Sequence, residues 1–300
     1  MYELIIIGAG PAGITAGVYA ARQKINTLII TKDIGGQTAW SGNIENYTGY
    51  QFITGPELTK KFEEHLTQFD IELKTPEEVT AVNKEGDVIS VKTKRDLFRS
   101  QALIIASGKS PRFLNVPGEK EFKNKGVTYC AVCDGPLFSG KDVAVVGGGN
   151  SALDAALQMS KIARKVYLIN LNPHLAGEPT LKEKVEGAKN TEVINNAVTK
   201  EIVGDAFVKE IKVEVNGQPR VIQVGGVFVE IGLIPAADFI QIVEKNQWGE
   251  IKVDARCATN IPGIFAAGDV TAVPEKQIII AAGEGSKAAL GVARYLVEGK

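Results

Sequence analysis

The sequence predicts an α/β protein with two nucleotide-binding domains. The first observation is a glycine-rich turn at 8–13 (GAGPAG) that follows an apolar strand and opens a helix. The second is a similar turn at 147–152 (GGGNSA), about 140 residues later in the same context. Glycines at this spacing let the backbone approach a dinucleotide pyrophosphate, which then sits on the helix N-terminus. We therefore expect two Rossmann-like three-layer domains, the first discontinuous and each with a β-meander.

The composition of the chain argues against several classes of function. The 300 residues are 44% hydrophobic, and a net charge of −1 with both signs dispersed gives no footprint for nucleic acid or an anionic membrane. The uncharged run 4–21 contains four glycines and a proline, which indicates strand, turn and helix rather than a membrane span. The 3 cysteines suit a reducing compartment, and no targeting segment is visible, so we expect a cytoplasmic protein.

The first domain begins with the strand at 3–7, the glycine turn and a helix, followed by a second strand at 26–30. The acidic residue that usually binds a ribose does not directly follow that strand, and Asp33 is the nearest candidate. A long loop rich in Asn, Gly and Tyr starts at 35–37 (GGQ), and such loops commonly bind ligands.

Further elements of the first domain follow from periodicity. An amphipathic helix is predicted over 57–69, a β-meander over 71–103 and a buried strand before Ser107-Gly108. The far end of the chain has a strand that leads to Gly268-Asp269 and an apolar helix over about 277–298. This segment can return to the first domain and place Asp269 against a flavin polyol; the alternative for Asp269 is a helix N-cap.

The second domain repeats the pattern with a strand at 141–146, the second glycine turn and a helix to about residue 162. Its next strand ends at Asn170-Leu171-Asn172, the position that selects between the two nicotinamide cofactors. Short strands are predicted over 191–231, and a helix is predicted between Pro235 and residue 260.

The segment 130–135 (CAVCDG) contains two cysteines three residues apart. Such a pair can close a small reversible disulfide ring, and the neighbouring Asp134 can exchange a proton with a departing thiolate. A structural zinc site would need a second ligand pair, but the chain offers only the scattered Cys257, His65 and His174. An incidental disulfide is the other alternative. We favour a catalytic dithiol and interpret Cys257 as a buried, inert thiol.

These motifs, in this order, resemble the low-molecular-weight thioredoxin reductases and the reductase portion of the alkyl hydroperoxide reductase flavoprotein. The resemblance covers essentially the whole chain and rests on GAGPAG, GGQ, Glu45-Asn46-Tyr47, CAVCDG, GGGNSA and PGIFAAGD at 262–269. It implies FAD on a discontinuous domain, 1–114 and 247–300, a pyridine nucleotide on 117–244, and a homodimer.

The resemblance also implies the site residues. For FAD they are Gly8, Gly10, Pro11, Ala12, Asp33, Gly36, Gln37, Asn46, Gly108, Gly268, Asp269, Lys276, Gln277 and Ile278. For the nicotinamide cofactor they are Gly147, Gly149, Asn150, Ser151 and Asn170. The catalytic residues are Cys130, Cys133 and Asp134.

The chemistry of the family follows one route. Hydride passes from nicotinamide to flavin, and the electrons then pass to the Cys130–Cys133 disulfide, which exchanges with a thioredoxin- or glutaredoxin-like protein. By resemblance, Cys130 is the outer, attacking thiol, Cys133 lies nearer the flavin and Asp134 moves the proton. The middle domain is expected to rotate about hinges near Pro117 and Pro235.

One departure concerns cofactor choice. Thioredoxin reductases have a His-Arg-Arg cluster for the 2′-phosphate of NADPH where this chain has Asn170-Leu171-Asn172. Two lost charge-assisted contacts are worth roughly 1.5 to 3 kcal/mol each, so we predict NADH over NADPH. The hydroperoxide reductase flavoprotein is similar in using NADH, but it carries an N-terminal thioredoxin-fold extension. Because this chain begins at its first strand, we expect its partner to be a separate polypeptide.

Other functions are compatible with parts of the pattern. The same dithiol could take electrons from ferredoxin, or the chain could be the reductase partner of a peroxiredoxin system. Ferredoxin- or quinone-linked flavin oxidoreductases lack the cysteine pair, and a redox sensor would not need two nucleotide turns. Glutathione-type reductases end in a catalytic histidine, whereas no histidine follows His174 here. Trp40 and Trp248 are candidates for an interface or a cofactor contact.

Overall fold

The computed structural model describes residues 1–41 and 43–298, which form two compact units. Unit 1 comprises 1–41, 45–110 and the chain from Ile234 onward. Unit 2 consists mainly of Pro111–Leu233, with a short segment that ends at Ile44. Both units contain a parallel sheet flanked by helices and an antiparallel meander, so the predicted α/β class with two Rossmann-like units is confirmed.

The strands are β1 (Tyr2–Ala9), β2 (Thr27–Ile34), β3 (Asn43–Ile44), β4 (Ile53–Thr54), β5 (Glu72–Lys74), β6 (Val79–Glu85), β7 (Val88–Thr93), β8 (Leu97–Ile105), β9 (Lys109–Pro111), β10 (Val127–Thr128), β11 (Asp142–Val146), β12 (Lys165–Ile169), β13 (Thr191–Ile194), β14 (Ala197–Gly204), β15 (Val208–Val215), β16 (Gln218–Gln223), β17 (Gly226–Val229), β18 (Leu233–Pro235) and β19 (Ile264–Ala266). The helices are α1 (Pro11–Arg22), α2 (Gly55–Leu66), α3 (Ala131–Asp134), α4 (Asn150–Ser160), α5 (Pro179–Glu186) and α6 (Ile278–Glu298).

Unit 1 is organised around β1, whose apolar residues are buried on both faces of the sheet. β1 pairs in parallel with β2 on one side and β8 on the other, and β5 and β19 extend the parallel part. β6 and β7 join β8 in antiparallel pairing and form the predicted meander. α1 and α6 cover one face, where their alanines allow close packing. Parallel strands of this kind direct a ligand to their carboxyl ends.

Unit 2 has the strand order β10-β17-β11-β12-β13, and all of these pairings are parallel. β14, β15 and β16 form the separate antiparallel meander. Phe228 on β17 is fully buried and makes an edge-to-face contact with Phe138, which lies just after α3. The order of the parallel strands reverses between β11 and β17, and this reversal marks the usual ligand crevice of the fold.

The helix predicted between Pro235 and residue 260 is wrong: this fully described segment forms turns and isolated bridges. Its apolar residues Ala237, Ile240 and Val243 recur at a helical spacing, but they are buried against the sheet of unit 1. The backbone of this segment also forms a hydrogen bond with unit 1, because the Val82 N–H donates to the Phe239 carbonyl at 3.0 Å. For this reason 234–246 group with unit 1, whereas the sequence placed the second domain as far as residue 244.

Two boundaries differ from the sequence prediction. β2 continues past residue 30 to Ile34 because it keeps its pairing with β1 as far as Ala9. α2 begins at Gly55 rather than residue 57 because Thr54 and Glu57 form a capping box that fixes the first turn. Within residues 1–41 and 43–298, no helix has the length and apolarity needed to cross a bilayer.

Two glycines on α6 provide a test of the packing between α1 and α6. A Cβ on Gly285 would lie 2.1 Å from the Ala12 carbonyl oxygen, whereas a Cβ on Gly283 has no atom within 4 Å. We expect Gly285→Ala to destabilise the protein by about 1 to 3 kcal/mol through overpacking. Gly283→Ala is the matched control and should stabilise it by roughly 0.5 to 1 kcal/mol. Equal melting temperatures for the two variants would contradict this packing.

Candidate redox and nucleotide sites

The first glycine turn is fixed by close backbone contacts. Gly8 has φ +101°, and a Cβ on it would lie 2.4 Å from the carbonyl oxygen of Ala106, just after β8. A Cβ on Gly13 would lie 1.9 Å from the Gly8 carbonyl oxygen, so the turn accepts no side chain at either position. Gly10 precedes Pro11, the first residue of α1, and no side chain caps this helix. The N-terminus of α1 is therefore suited to a phosphate group.

The GGQ segment lies against this turn. The Gly35 N–H donates to the Ala9 carbonyl at 2.7 Å, and a Cβ on Gly36 would lie 3.7 Å from the Gly10 Cα. The Gln37 amide donates to the Lys109 carbonyl at 2.7 Å, next to Gly108 with its φ of +68°. The structure thus brings together three sequence-predicted segments that lie far apart in the chain.

The C-terminal candidates join the same region. A Cβ on Gly268 would lie 3.0 Å from the Ala12 Cβ, which places this turn beside the start of α1. Asn46 donates to the Gln277 side chain at 3.0 Å, immediately before α6 begins at Ile278. Glu284 on α6 accepts from the Gly268 N–H at 2.7 Å and holds the turn in place. Sequence reasoning did not identify Glu284.

The two acidic FAD candidates lie in different environments. Asp33 is the penultimate residue of β2 and is exposed. Asp269 is half-buried, and burial raises its pKa more than Lys276 and Lys109 lower it. Asp269 precedes the first residue of α6 by nine positions, so it is not the N-cap of that helix. Its position fits a group that accepts hydrogen bonds from ligand hydroxyls.

A buried charge cluster, which the sequence did not predict, lies near these residues. Lys109 forms an ion pair with Glu250, and the Lys276 ammonium lies 3.5 Å from the same carboxylate. Lys276 also donates to the Thr271 carbonyl at 2.6 Å. Burial, the largest effect, raises the pKa of Glu250, but the hydrogen bonds from Lys109 and Asn246 together outweigh it and leave the pKa lowered. The cluster fixes Lys276 close to Asp269.

The second glycine turn, in unit 2, is equally tight. Gly147 has φ +144°, and a Cβ on it would lie 2.3 Å from the Glu230 carbonyl oxygen. Gly149 caps α4 without a side chain, and a Cβ on it would meet open space. Asn150 opens α4 and accepts from the Glu178 N–H at 2.8 Å, while Ser151 is exposed. This helix N-terminus also suits a pyrophosphate.

Asn170 supports the loop after β12. Its side chain is buried, and its amide donates to the Asn172 carbonyl at 2.9 Å and to the Asn195 side chain at 2.8 Å. A Cβ on Gly148 would lie 2.1 Å from the Asn170 side-chain oxygen, so the loop packs directly on the glycine turn. Leu171 and Asn172 are exposed beside it.

Cys130 and Cys133 form a disulfide in unit 2, with their Cα atoms 5.3 Å apart. Cys130 is the N-cap of α3, and its sulfur accepts from the Cys133 N–H at 3.2 Å. Both cysteines are half-buried, and Val132 between them is 54% exposed. The segment that carries the disulfide therefore lies at the surface of the protein.

Asp134 lies on the same short helix as Cys133, in a desolvated setting. One carboxyl oxygen accepts from the Thr128 hydroxyl, and the other, Oδ1, is buried with no hydrogen-bond partner among the described residues. Burial raises the pKa of Asp134, and the Thr128 hydrogen bond only partly opposes this. The carboxyl group is therefore prepared to carry a proton close to the disulfide. The sequence did not predict the role of Thr128.

The other residues that the sequence singled out are Cys257, Trp248 and Trp40. Cys257 is buried, its thiol donates to the Glu284 carbonyl at 3.6 Å, and burial raises its pKa to about 11, as expected for an inert thiol. Trp248 is 69% exposed, and the side chain of Trp40 lies outside the described part of the chain. No group of three or more His, Cys, Asp or Glu side chains in the described residues is arranged to hold a metal ion.

Two dinucleotide turns and a C-x-x-C disulfide in one chain define a class of redox protein, and comparison with known proteins identifies the family. A family profile described as pyridine nucleotide-disulphide oxidoreductase matches residues 2–285. The chain belongs to this family of oxidoreductases.

Comparison with individual proteins shows which members of the family this chain resembles. The chain is 39% identical over 307 residues to an alkyl hydroperoxide reductase component from Escherichia coli K12, covering 100% of this chain and 59% of the relative. It is 40% identical over 300 residues to a protein named NADH dehydrogenase from Bacillus subtilis 168, covering 99% and 59%. The chain therefore spans less than two thirds of the length of these curated relatives.

A solved structure matches over its full length. The crystal structure of thioredoxin reductase from Streptococcus pyogenes MGAS5005 has a TM-score of 0.93 and 38% sequence identity, covering 100% of this chain and 99% of that one. The resemblance predicted from the motifs is confirmed by these comparisons.

The buried carboxyl group of Asp134 leads to a prediction about stability. Because burial raises the pKa of Asp134, the ionised carboxylate destabilises the folded protein. This destabilisation is absent below about pH 4, where the group is protonated in both the folded and the unfolded state, and it is complete above the raised pKa. We expect Asp134→Asn to raise the unfolding free energy by about 1 kcal/mol at pH 8, and the gain should shrink as the pH falls. Thermal unfolding of the oxidised protein at several pH values measures this.

The exposed carboxylate Glu183 on α5 provides the matched control. Glu183→Gln should leave the melting temperature unchanged across the same pH range. A gain for Asp134→Asn that is equal at pH 4 and pH 8, or a loss at pH 8, would show that the Asp134 carboxyl group is not desolvated in the folded protein.

Proposed function

We propose that the chain is an FAD-dependent disulfide reductase that takes electrons from NADH and passes them through Cys130–Cys133 to a thioredoxin- or glutaredoxin-like protein. One observation carries the proposal: a half-buried C-x-x-C disulfide lies beside Asp134, whose pKa burial raises, in the unit that also has a dinucleotide turn. A structural disulfide would not require this carboxyl group to lose its hydration.

Unit 1 has the features that FAD requires. The glycine turn at 8–13 leads into a helix N-terminus without a side-chain cap, and Gly36 and Gly268 lie against the same turn. Asp269 supplies a carboxylate for ligand hydroxyls, and Lys276 is held close to it. Bound there, FAD would supply the two-electron relay between nicotinamide and disulfide.

Three observations support NADH as the donor. The loop at Asn170-Leu171-Asn172 has no cationic side chain, and the next part of the loop leads to the exposed carboxylate of Glu178. Asn150 at the glycine turn holds Glu178 through the Glu178 N–H. A 2′-phosphate at this loop would therefore meet no base where NADPH-binding sites place them. Two relatives, 42% and 40% identical to this chain, are named NADH dehydrogenase.

The residues around the disulfide have two roles, which are proton transfer and contact with the protein substrate. Reduction breaks the S–S bond and takes up two electrons and two protons, giving two thiols. Asp134 supplies one of these protons and recovers it when the dithiol attacks a disulfide of the partner. Cys130 is the attacking thiol in this scheme, and Cys133 closes the ring again. Val132 and Leu137 are exposed beside the pair and offer apolar contacts to a protein substrate.

The names of the relatives agree with such a partner. The matched proteins include thioredoxin reductases and components of alkyl hydroperoxide reductases, and both names refer to reductases of redox systems. Assembly as a homodimer, which the resemblance implies, is part of the same proposal.

Anaerobic titration tests the proposed donor. We expect NADH to bleach the visible absorbance of the FAD-loaded protein, and NADPH to do so only at concentrations at least tenfold higher. Cys130→Ser should abolish reduction of protein disulfides while NADH still bleaches the flavin. Bleaching by NADPH at an equal or lower concentration would contradict the donor assignment. Disulfide turnover that survived Cys130→Ser would contradict the role of the pair.

Converting the cofactor loop gives a gain-of-function test. Leu171 and Asn172 are exposed, so Leu171→Arg with Asn172→Arg should add phosphate contacts without disturbing the core. We expect the dissociation constant of NADPH to fall by about tenfold or more, with that of NADH changing less than threefold. The matched control is Leu171→Gln with Asn172→Gln, which adds length without charge. An equal fall in the dissociation constant of NADPH for the control variant would contradict the assignment of residues 171 and 172 to the loop that selects the cofactor.

A further inference from the structure

Glu230 is a buried carboxylic acid that the mechanism above does not use. It directly follows β17, at the carboxyl edge of the sheet where the strand order reverses. Its N–H donates to the carbonyl of Val146, the last residue of β11, at 2.8 Å. Its own carbonyl oxygen is the atom that requires glycine at position 147. The backbone of Glu230 is therefore part of the wall of the second nucleotide turn.

The side chain of Glu230 points to the C-x-x-C segment. Its carboxyl oxygen Oε1 accepts from the N–H of Ala131, the residue after Cys130, at 3.4 Å. The carbonyl of the same Ala131 accepts from the Gln158 amide at 3.1 Å, and Gln158 belongs to α4. Both polar backbone groups of Ala131 are thus held by elements that flank the nucleotide turn.

The charge of this carboxyl group is sensitive to pH. Burial raises the pKa of Glu230 to about 7, and the charge of Asp154 on α4 adds to the increase, while the hydrogen bond from Ala131 opposes it. The carboxyl groups on α3 and β11 are Asp134 and Asp142. The strand β15, which packs against β17, carries Glu210 and Glu214 together with Lys209 and Lys212. Asp142 stands at the opposite end of β11, where it is paired with Arg164.

We propose that Glu230 is a positioning residue for the Cys130–Cys133 pair: with Gln158 it holds the Ala131 peptide, and its charge sets how readily the reduced pair forms a thiolate. The proposal rests on the proposed function only in taking this pair as the reacting disulfide. An ionised Glu230 strengthens the hydrogen bond to Ala131. It also places a negative charge at the peptide that follows Cys130, and this charge opposes thiolate formation there.

The sign of the pH effect follows. Below about pH 7 Glu230 is neutral, so thiolate formation rises with pH as for a simple thiol. As the pH passes 7 the new negative charge opposes further ionisation, and the rise becomes shallower. A residue with a purely structural role would change the rate equally at every pH.

Alkylation of the chemically reduced protein tests the proposal without flavin or nucleotide turnover. The full chain is reduced with a phosphine, and the rate of iodoacetamide labelling at Cys130 is followed by mass spectrometry from pH 5.5 to 9. We expect two inflections for the wild type, one of them near pH 7. Glu230→Gln keeps the shape and the acceptor oxygen, and it should show no inflection near pH 7 and about threefold faster labelling at pH 7.5.

Asp154→Asn is the matched control, because it removes the neighbouring exposed carboxylate and leaves Glu230 in place. It should keep both inflections. A Glu230→Gln profile that overlays the wild type, or differs from it by one factor at every pH, would overturn the proposal. If Glu230→Gln does not fold, the pH profile of the wild type tests the proposal by itself. A wild-type profile with a single inflection would show that no group beside Cys130 titrates near pH 7, and this would overturn the proposal. Failure of NADH to bleach the flavin would refute the proposed function but would not affect this result.

Discussion

Close contact between backbone atoms at the carboxyl ends of the parallel strands is the constraint on which both sites depend. At Gly8 and Gly147 a Cβ would come within 2.4 Å of a carbonyl oxygen from a neighbouring strand end. Each turn can therefore lie flat against its sheet, and the following helix begins without a side-chain cap. An uncapped helix N-terminus above a strand edge is the feature that both proposed nucleotide sites share.

The turn at Gly147 also connects the nucleotide site to the redox pair. The atom that approaches Gly147 belongs to Glu230, and the carboxyl group of the same residue holds Ala131 beside Cys130. Asp134, which directly follows Cys133, is a second desolvated carboxyl group in this unit. Such groups lower the stability of the folded state at neutral pH, which is the usual signature of residues kept for chemistry.

The sequence predicted the fold class, both glycine turns and the disulfide, because these features are local. An apolar strand, a glycine turn and a helix are contiguous in the chain, and Cys130 and Cys133 are three residues apart. Segments such as GGQ and PGIFAAGD were predicted through resemblance, and the structure places them beside the first turn. The helix predicted after Pro235 was wrong because tertiary contacts with the sheet outweighed a helical spacing of apolar residues.

The residues that the sequence missed are those whose role comes from tertiary contacts. Thr128, Glu230 and Glu250 carry no motif, and each one acquires its significance from a partner distant in the sequence or from burial. Glu230 gave one usable signal, since a charged residue directly after the buried strand GVFV stands where parallel sheets place ligand-binding groups. The pairing of Lys109 with Glu250 gave none, because about 140 residues separate the two.

The most direct test of the account asks whether electrons from NADH arrive at the two sulfurs. The FAD-loaded protein receives one equivalent of NADH without oxygen, is trapped with iodoacetamide under denaturing conditions, and its cysteines are counted by peptide mass spectrometry. We expect new alkylation at Cys130 and Cys133 together, and equal labelling of Cys257 with and without NADH. Oxidation of NADH with both sulfurs still joined would contradict it.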